Sequence, residues 1–412
     1  MQINELNKKY QESLEQNFSN NSSLNETIQS FKDQGLPTTK LEGWKYTSLS
    51  KFLPESLSFF DHKNEKSQEL ISLQSLKNYG TTQLIFLNGQ LVSEEKPKNV
   101  TVTEEAFKTS FQRGHEDQLE NLCMIGNTLG KSYVITVNED TELDLHFYFD
   151  NNQQPQSCYS PRVQINVAAS KTVKVFKQFQ NLNSSIWLNP TFLVKLEKNT
   201  QVEWNLNSLL EDENILTSRL QVEVERDATF RYTQNFKNEK LSRTDFIINL
   251  NGENATADLG GFYQLDQEQH HDTALIINHN KSHTYSHQLF KGILDDQSRG
   301  VFNGMVFIHP DAQQVDASQL NKNLLLSKKA HVDTRPQLQV HADDVKAAHG
   351  ATIGQLDPDE LFYLMARGIP QEKATTLLLA GYGQQVFEKV SSQNWKEAIE
   401  EQNQKRSTNG PS

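Results

Sequence analysis

The sequence predicts a mainly β fold, a parallel β-helix flanked by α-helical regions at its N-terminal and C-terminal ends. Three observations carry the prediction. A strand-turn-strand unit recurs through the middle of the chain, marked by Thr141, Thr172, Thr200, Thr229, Thr256 and Thr284 at separations of 31, 28, 29, 27 and 28 residues. Within each unit the apolar residues sit two apart, the period of a strand with one buried face. At both ends that rhythm gives way to the three-and-four spacing of helices.

Taken in order, the first 34 residues read as two amphipathic helices, because Leu6, Tyr10, Leu14 and Phe18 lie four apart and Leu24, Ile28 and Phe31 follow at four and three. Gly35-Leu36-Pro37 stops the second. Leu41-Glu42-Gly43-Trp44-Lys45-Tyr46-Thr47 is an aromatic-rich turn suited to anchoring a chain against a body. Residues 50–130 are mixed, with one clear strand from Gln83 to Leu87 before the turn dipeptide Asn88-Gly89. The first region is therefore residues 1–130 and the β-helix core residues 131–354.

In the core, Val163, Ile165 and Val167 precede the turn ASKT, and Val173 and Val175 follow it; the turns NEDT, EKNT, RDAT, GENAT and KSHT repeat the sentence. The threonines read as β-branched residues entering a strand. Val315 and Val345 hold the apolar position after the later turns. One such unit cannot bury its apolar face, but units stacked at ~4.8 Å form two continuous sheets, so about eight rungs make a prism ~35 Å long. Two long strands per rung leave about a dozen residues for the return. The leucine-rich pattern L-x-x-L-x-L-x-x-N is absent, and a propeller blade needs four strands and a longer period. A β-sandwich also fits spaced strands, but not a regular phase.

After Gly354 the pattern becomes helical. Asp357-Pro358-Asp359-Glu360 combines an Asp cap, Pro at the first position and Glu at the third. Leu361, Leu364 and Met365 line one face of that helix; past Gly368-Ile369-Pro370 a second helix places Ala374, Leu377, Leu378 and Gly381 together. Solenoid ends need covering, which both helical regions supply. Phe362, Tyr363, Leu379 and Tyr382 leave the C-terminal region, residues 355–392, apolar on more than one side, with room for a partner. Residues 393–412 read as a polar, frayed tail.

The formal net charge of −12 argues against nucleic acid as a ligand, since phosphate binding wants clustered Lys and Arg. No run of eighteen apolar residues and no signal-peptide pattern at Met1-Gln2-Ile3 appear, so the expectation is a cytoplasmic protein with no membrane partner. Cys123 and Cys158 are the only cysteines and form no C-x-x-C pair, which leaves neither a disulfide framework nor a thiolate metal site. Nine of the 12 histidines fall between His270 and His349. His283 and His287, with His279 in phase if the strand continues, would share a strand face, which keeps a metal-binding enzyme open; H-x₃-H without further ligands is a weak signal. A carbohydrate-active β-helix enzyme is the other alternative, lacking a convincing acid-base carboxylate pair. No phosphate-cradling glycine loop is present, so any ATP hydrolysis belongs to a partner.

The run from His309-Pro310-Asp311-Ala312-Gln313 through Asn323-Leu324-Leu325-Leu326-Ser327 and Pro336-Gln337-Leu338 to Ala347-Ala348-His349-Gly350-Ala351-Thr352 closely resembles the SufB/SufD family of iron-sulfur cluster assembly proteins. Tyr363-Leu364-Met365-Ala366-Arg367-Gly368-Ile369 matches it too, and Gly35-Leu36-Pro37 with Trp44-Lys45-Tyr46-Thr47 resembles its SufD branch. The resemblance implies a right-handed parallel β-helix between helical regions. It also implies a non-catalytic scaffold subunit that pairs with a SufB-like protein through the β-helix. A SufC-like ABC ATPase docks on the C-terminal helices, roughly Asp357 to Lys389, where Leu361, Phe362, Met365, Arg367, Leu379 and Tyr382 are the candidate partner-binding residues. The family's Cys-Ser-His is here Ala347-Ala348-His349, so the thiolate is missing. No cofactor is then held by this chain alone. His349 is either a half-site ligand of a transient iron-sulfur cluster shared at the SufB interface or a hydrogen-bonded interface histidine. In isolation the same open edge would allow a homodimer.

Overall fold

The computed structural model of the chain describes residues 3–18, 29, 31–33, 35–55, 58–59, 77–93, 99–105, 132–149, 157–181, 185–237 and 239–407. Two sheets of parallel strands face each other across one apolar core. Sheet A runs through Ser132–Val137, Arg162–Val167, Thr191–Leu196, Ile215–Val224, Leu241–Leu250, His270–His279, Arg299–Ile308 and His331–Val340. Sheet B runs through Thr82–Leu87, Thr141–Phe149, Thr172–Asn181, Gln201–Ser208, Thr229–Phe236, Thr256–Leu265, Tyr285–Leu294, Val315–Leu325 and Val345–Gly354. The chain alternates between the sheets, which is a parallel β-solenoid of about 7 turns. The eight parallel strands of sheet A are the eight rungs expected, the turns being the steps between them. The Thr82–Leu87 strand pairs parallel with Thr141–Phe149 and folds back through Asn88 (φ 51°) and Gly89 (φ 82°), so the sheet begins inside the N-terminal region.

Each rung is nearly all strand. Between Leu265 and His270 only residues 266–269 remain, and between His279 and Tyr285 only 280–284, so the return is a short turn and not a dozen residues. The threonines do not form one column either. Thr172 and Thr229 pair with Gln201, and Thr256 pairs with Thr229, whereas Thr200 and Thr284 sit one place earlier and are buried. There their hydroxyls donate back to Glu197 O (2.9 Å) and Lys281 O (3.0 Å) and close the turn. What does recur is a left-handed residue before that position: Ser170, Asn199, Asp227, Asn254, His283 and Gln314, all at φ between 57° and 61°. Asn and Asp tolerate this conformation best, and Asn254 Nδ2 reaches the Asp227 carboxylate of the previous rung at 2.9 Å.

Alternation puts one residue in two into the lumen. On sheet A the column Val163, Phe192, Leu220, Phe246, Leu275 is buried throughout. Facing it, sheet B supplies Trp204, Tyr232 and Leu259. Each such side chain contributes about 1.5–3 kcal/mol relative to exposure, and none could do so in a lone rung.

The outer faces are covered from both ends of the chain. Helix α1 (Ile3–Phe18) buries Leu6 and Tyr10 with Phe31, Trp44 and Leu49 against Cys158, Trp187, Ile215 and Leu241. Gln29 and residues 31–33 are helical as well, and Leu24 and Ile28 lie outside the described residues. The aromatic turn anchors on charge as well as on packing. Arg243, 1% exposed, lies 3.9 Å from the Trp44 ring centroid and donates to Asp245 (2.8 Å) and Asp272. The Thr47 hydroxyl donates to the same Asp272 and lies 2.9 Å from His270 Nε2.

On sheet B, three helices follow the last strand: α2 (Pro358–Ala366), α3 (Gln371–Phe387) and α4 (Gln393–Ser407). Asp357 caps α2 by accepting from Asp359 N at 2.9 Å, as its sequence predicts. The frayed tail is a correction, because residues 393–407 form α4 and bury Trp395 and Ile399 beside Phe176 and Tyr79. Lys237, buried, donates to Gln402 O (2.7 Å) and Asn403 O (2.9 Å), a cation on the carbonyls near the helix end.

Candidate functional site

At its C-terminal end the solenoid is open among the described residues. His331–Val340 and Val345–Gly354 are the last strands of their sheets, each ten residues long, and each is paired on one side only. Long unpaired edges are templates for another chain unless something covers them. Here Val340 is 41% and Ile353 48% exposed, beside Leu338, Val345 and Ala347 of a small terminal apolar cluster. Pro336, which lacks an N–H, lies in an edge strand, where proline is tolerated.

His349 belongs to this end. Its register partner is Gln319, whose own partner is Gln288, and these follow Leu259 in the lumen column. The lumen thus changes from apolar to amide and then to imidazole as it opens, with Gln288 and Gln319 buried and His349 exposed. No thiolate joins it: Cys158 is buried at the N-terminal cluster, where burial pushes its thiol up to about 12, and Cys123 lies outside the described residues. Among the described residues the last rung carries three exposed histidines, His331, His341 and His349, and no cysteine.

The other described histidines do not form a ligand set. His279 ends a sheet A strand, His283 occupies the left-handed turn position and His287 lies in sheet B, so the three share no strand face. The strand cannot continue through a residue at φ 58°. His279 is held in the lumen by Thr284 Oγ1 (2.8 Å) and Ser286 Oγ (2.9 Å), and burial holds its pKa down to about 3. His287 Nδ1 lies 2.7 Å from Ser318 Oγ. Among the described residues no group of three or more His, Cys, Asp or Glu is gathered to hold a metal ion.

Beside the open end stands the helical hairpin α2–α3. The C-terminal half of α3 docks on sheet B through Val386 and Phe387, with Gly383 so close to Phe262 that a Cβ would meet its ring at 2.9 Å. Lys389 fixes the junction by donating to both Asp258 oxygens at 2.8 Å. No residue of α2 is buried. Of the six candidate partner residues, Phe362 (71%), Met365 (41%) and Arg367 are exposed and Leu361 is half-buried. Leu379 and Tyr382 instead turn toward the body, where Lys291 Nζ lies 3.9 Å from the Tyr382 ring centroid. Tyr363 and Leu377 add to the exposed apolar surface at 57% and 48%. Arg367 donates to the Tyr363 hydroxyl at 3.1 Å, so the two present one combined surface. Sequence reasoning missed the two lumen glutamines, whose one signal is that Gln288, Gln319 and His349 follow one another at about one rung.

Comparison with known proteins identifies the family. The family "SUF system FeS cluster assembly, SufBD core domain" matches residues 148–382, more than half of the chain. The chain is 26% identical over 385 residues to the iron-sulfur cluster assembly protein SufD of Escherichia coli (strain K12), covering 90% of this chain and 89% of the relative. To an iron-sulfur cluster assembly SufBD family protein of Synechocystis it is 25% identical, covering 86% and 84%. To SufD of Bacillus subtilis it is 32% identical over 157 residues, 38% of this chain and 36% of the relative. The chain belongs to the SufBD family of the SUF iron-sulfur cluster assembly system, and its relatives place it with the proteins called SufD.

Proposed function

We propose that this chain is a non-catalytic scaffold subunit of a cytoplasmic SUF-type assembly complex, pairing with a SufB-like protein through the open solenoid end and docking a SufC-like ATPase on the α2–α3 hairpin. The observation that carries the reading is the pairing of two ten-residue edge strands with a neighbouring helix that buries nothing of its own. Strand addition would satisfy the edges, and the exposed Phe362 and Met365 have the character of interface anchors. A second copy of this chain would cover the same edges when the SufB-like partner is absent. The cluster is cargo, held transiently with His349 as one donor and sulfur ligands from the partner. Because α3 is fixed to sheet B at Lys389 while α2 stands free, closure of the ATPase would pull on the rigid solenoid through α3.

Co-expression with SufB-like and SufC-like proteins, purified through a tag on this chain, tests the docking. Phe362→Ala with Met365→Ala should cost about 2–4 kcal/mol of binding, enough to lose the ATPase while the SufB-like protein is retained. Retention of both partners would overturn the hairpin assignment. In the same complex His349→Ala should leave all subunits assembled and reduce the cluster absorbance to background; an undiminished cluster would remove His349 from the site.

A further inference from the structure

From Gln319 onward the inward row of the penultimate sheet B strand, Val315–Leu325, is polar, and all but one of its side-chain acceptors are accounted for. Asn321 Nδ2 donates to Phe290 O (3.3 Å), Asn323 Nδ2 to Asn321 Oδ1 (2.7 Å), and Tyr263 Oη to Asn323 Oδ1 (2.5 Å). Gln319 Nε2 donates to Gln288 Oε1 at 2.8 Å, one rung back, which begins an amide ladder along the solenoid axis. Gly304 on the facing sheet makes the space for that amide, since a Cβ there would lie 2.0 Å from Gln319 Nε2. The oxygen of the same amide, Gln319 Oε1, is buried and has no hydrogen-bond partner, although Gln319 is only 2% exposed.

In a ladder of this polarity each oxygen accepts from the rung that follows. The rung that follows Gln319 carries His349 in register. We infer that Gln319 is a positioning residue for His349: one ring N–H donates to Gln319 Oε1, which fixes the tautomer and turns the other, unprotonated nitrogen outward beyond the last rung. An imidazole ligand must present a bare nitrogen, and which nitrogen is bare is set by the hydrogen bond the other makes. This deepens the reading of His349 as a cluster donor and rests on it for its purpose, but the inferred hydrogen bond joins two residues of this chain and is testable without a partner protein.

The test is nitrogen NMR of the isolated protein labelled in histidine, with the His349 ring assigned by its loss in His349→Asn. One tautomer is expected to exceed the other by about tenfold, the worth of a single hydrogen bond. Gln319→Leu should bring the two within about twofold, and Gln319→Glu, which keeps an acceptor, should restore the bias. Gly304→Ala, on the other sheet, should weaken it by displacing the amide. Comparable tautomers in the unaltered chain, or a bias that survives Gln319→Leu, would overturn the inference. A bias that behaves as stated, in a chain whose His349→Ala variant still yields cluster in the complex, would uphold the hydrogen bond and sink the ligand role.

Discussion

Arg243→Ala is expected to destabilise the chain by about 3–5 kcal/mol, the largest single-residue effect outside the lumen. The substitution leaves Asp245 and Asp272, 5% and 1% exposed, without their shared cation. It also removes the guanidinium that stacks on Trp44 and leaves the Thr47 contacts to Asp272 and His270 as the turn's remaining polar tie to sheet A. A buried carboxylate stripped of its partner costs more than the pair contributed, because the desolvation remains after the attraction has gone. Urea denaturation should show a lower midpoint. Hydrogen exchange should locate the first loss in residues 36–53, which the network ties down. A midpoint change worth less than about 1 kcal/mol, or protection of that segment unchanged, would mean that packing alone holds it.

Acid should destabilise the protein well above the usual carboxylate range. Burial is the main reason that His270, His271 and His279 are held down to about 3 and His146 to about 4, with the charges of Arg299, Arg243 and Lys51 adding at His270. Each is neutral when folded and free to take a proton near 6.5 when unfolded. The unfolded chain therefore binds more protons below that pH, and stability falls as pH falls from about 6.5 toward 3. Four such groups contribute up to about 1.4 kcal/mol per pH unit each. Asp144 opposes one of them: burial raises it to about 6 despite hydrogen bonds from Gly80 and Tyr79, so between about 6 and 3.8 the folded chain binds its proton first. The net expectation is a loss of about 4 kcal/mol per pH unit below pH 6. Denaturation midpoints at pH 7, 6 and 5 measure it, and His271→Gln should flatten the slope by one proton. Midpoints that stay level over this range would show that these histidines accept protons in the folded state.

Much of the fold was legible because alternation and a rung-length period are local properties of sequence. Threonine was a serviceable marker of the period but a poor marker of position. The turn requires a residue that tolerates φ near 60° followed by one small enough to bury, and Thr200 and Ala228 meet the second need equally well. The C-terminal helix was hidden because its buried side is only Trp395 and Ile399 in an otherwise polar stretch. The histidines suggested a metal site because their partners could not be seen: Ser242 holds His271 from the preceding rung of the same sheet, and Ser286 holds His279 from the facing sheet. The same is true of Arg243 and Asp272, 29 residues apart and a single rung away. In a solenoid the informative comparison is between residues one period apart, and Gln288, Gln319 and His349 are legible only in that way.

Helix α4 also sets an order in time. Trp395 covers Phe176 of sheet B and the neighbouring Tyr79, and it follows the last strand of the solenoid in the chain. A nascent chain emerges from the ribosome N-terminus first, so the early rungs can stack while their outer apolar stripe is still bare, and that stripe closes only after the last rung has been made. While its rungs are being made the growing solenoid carries an uncovered flank, and α4 is the piece that retires it.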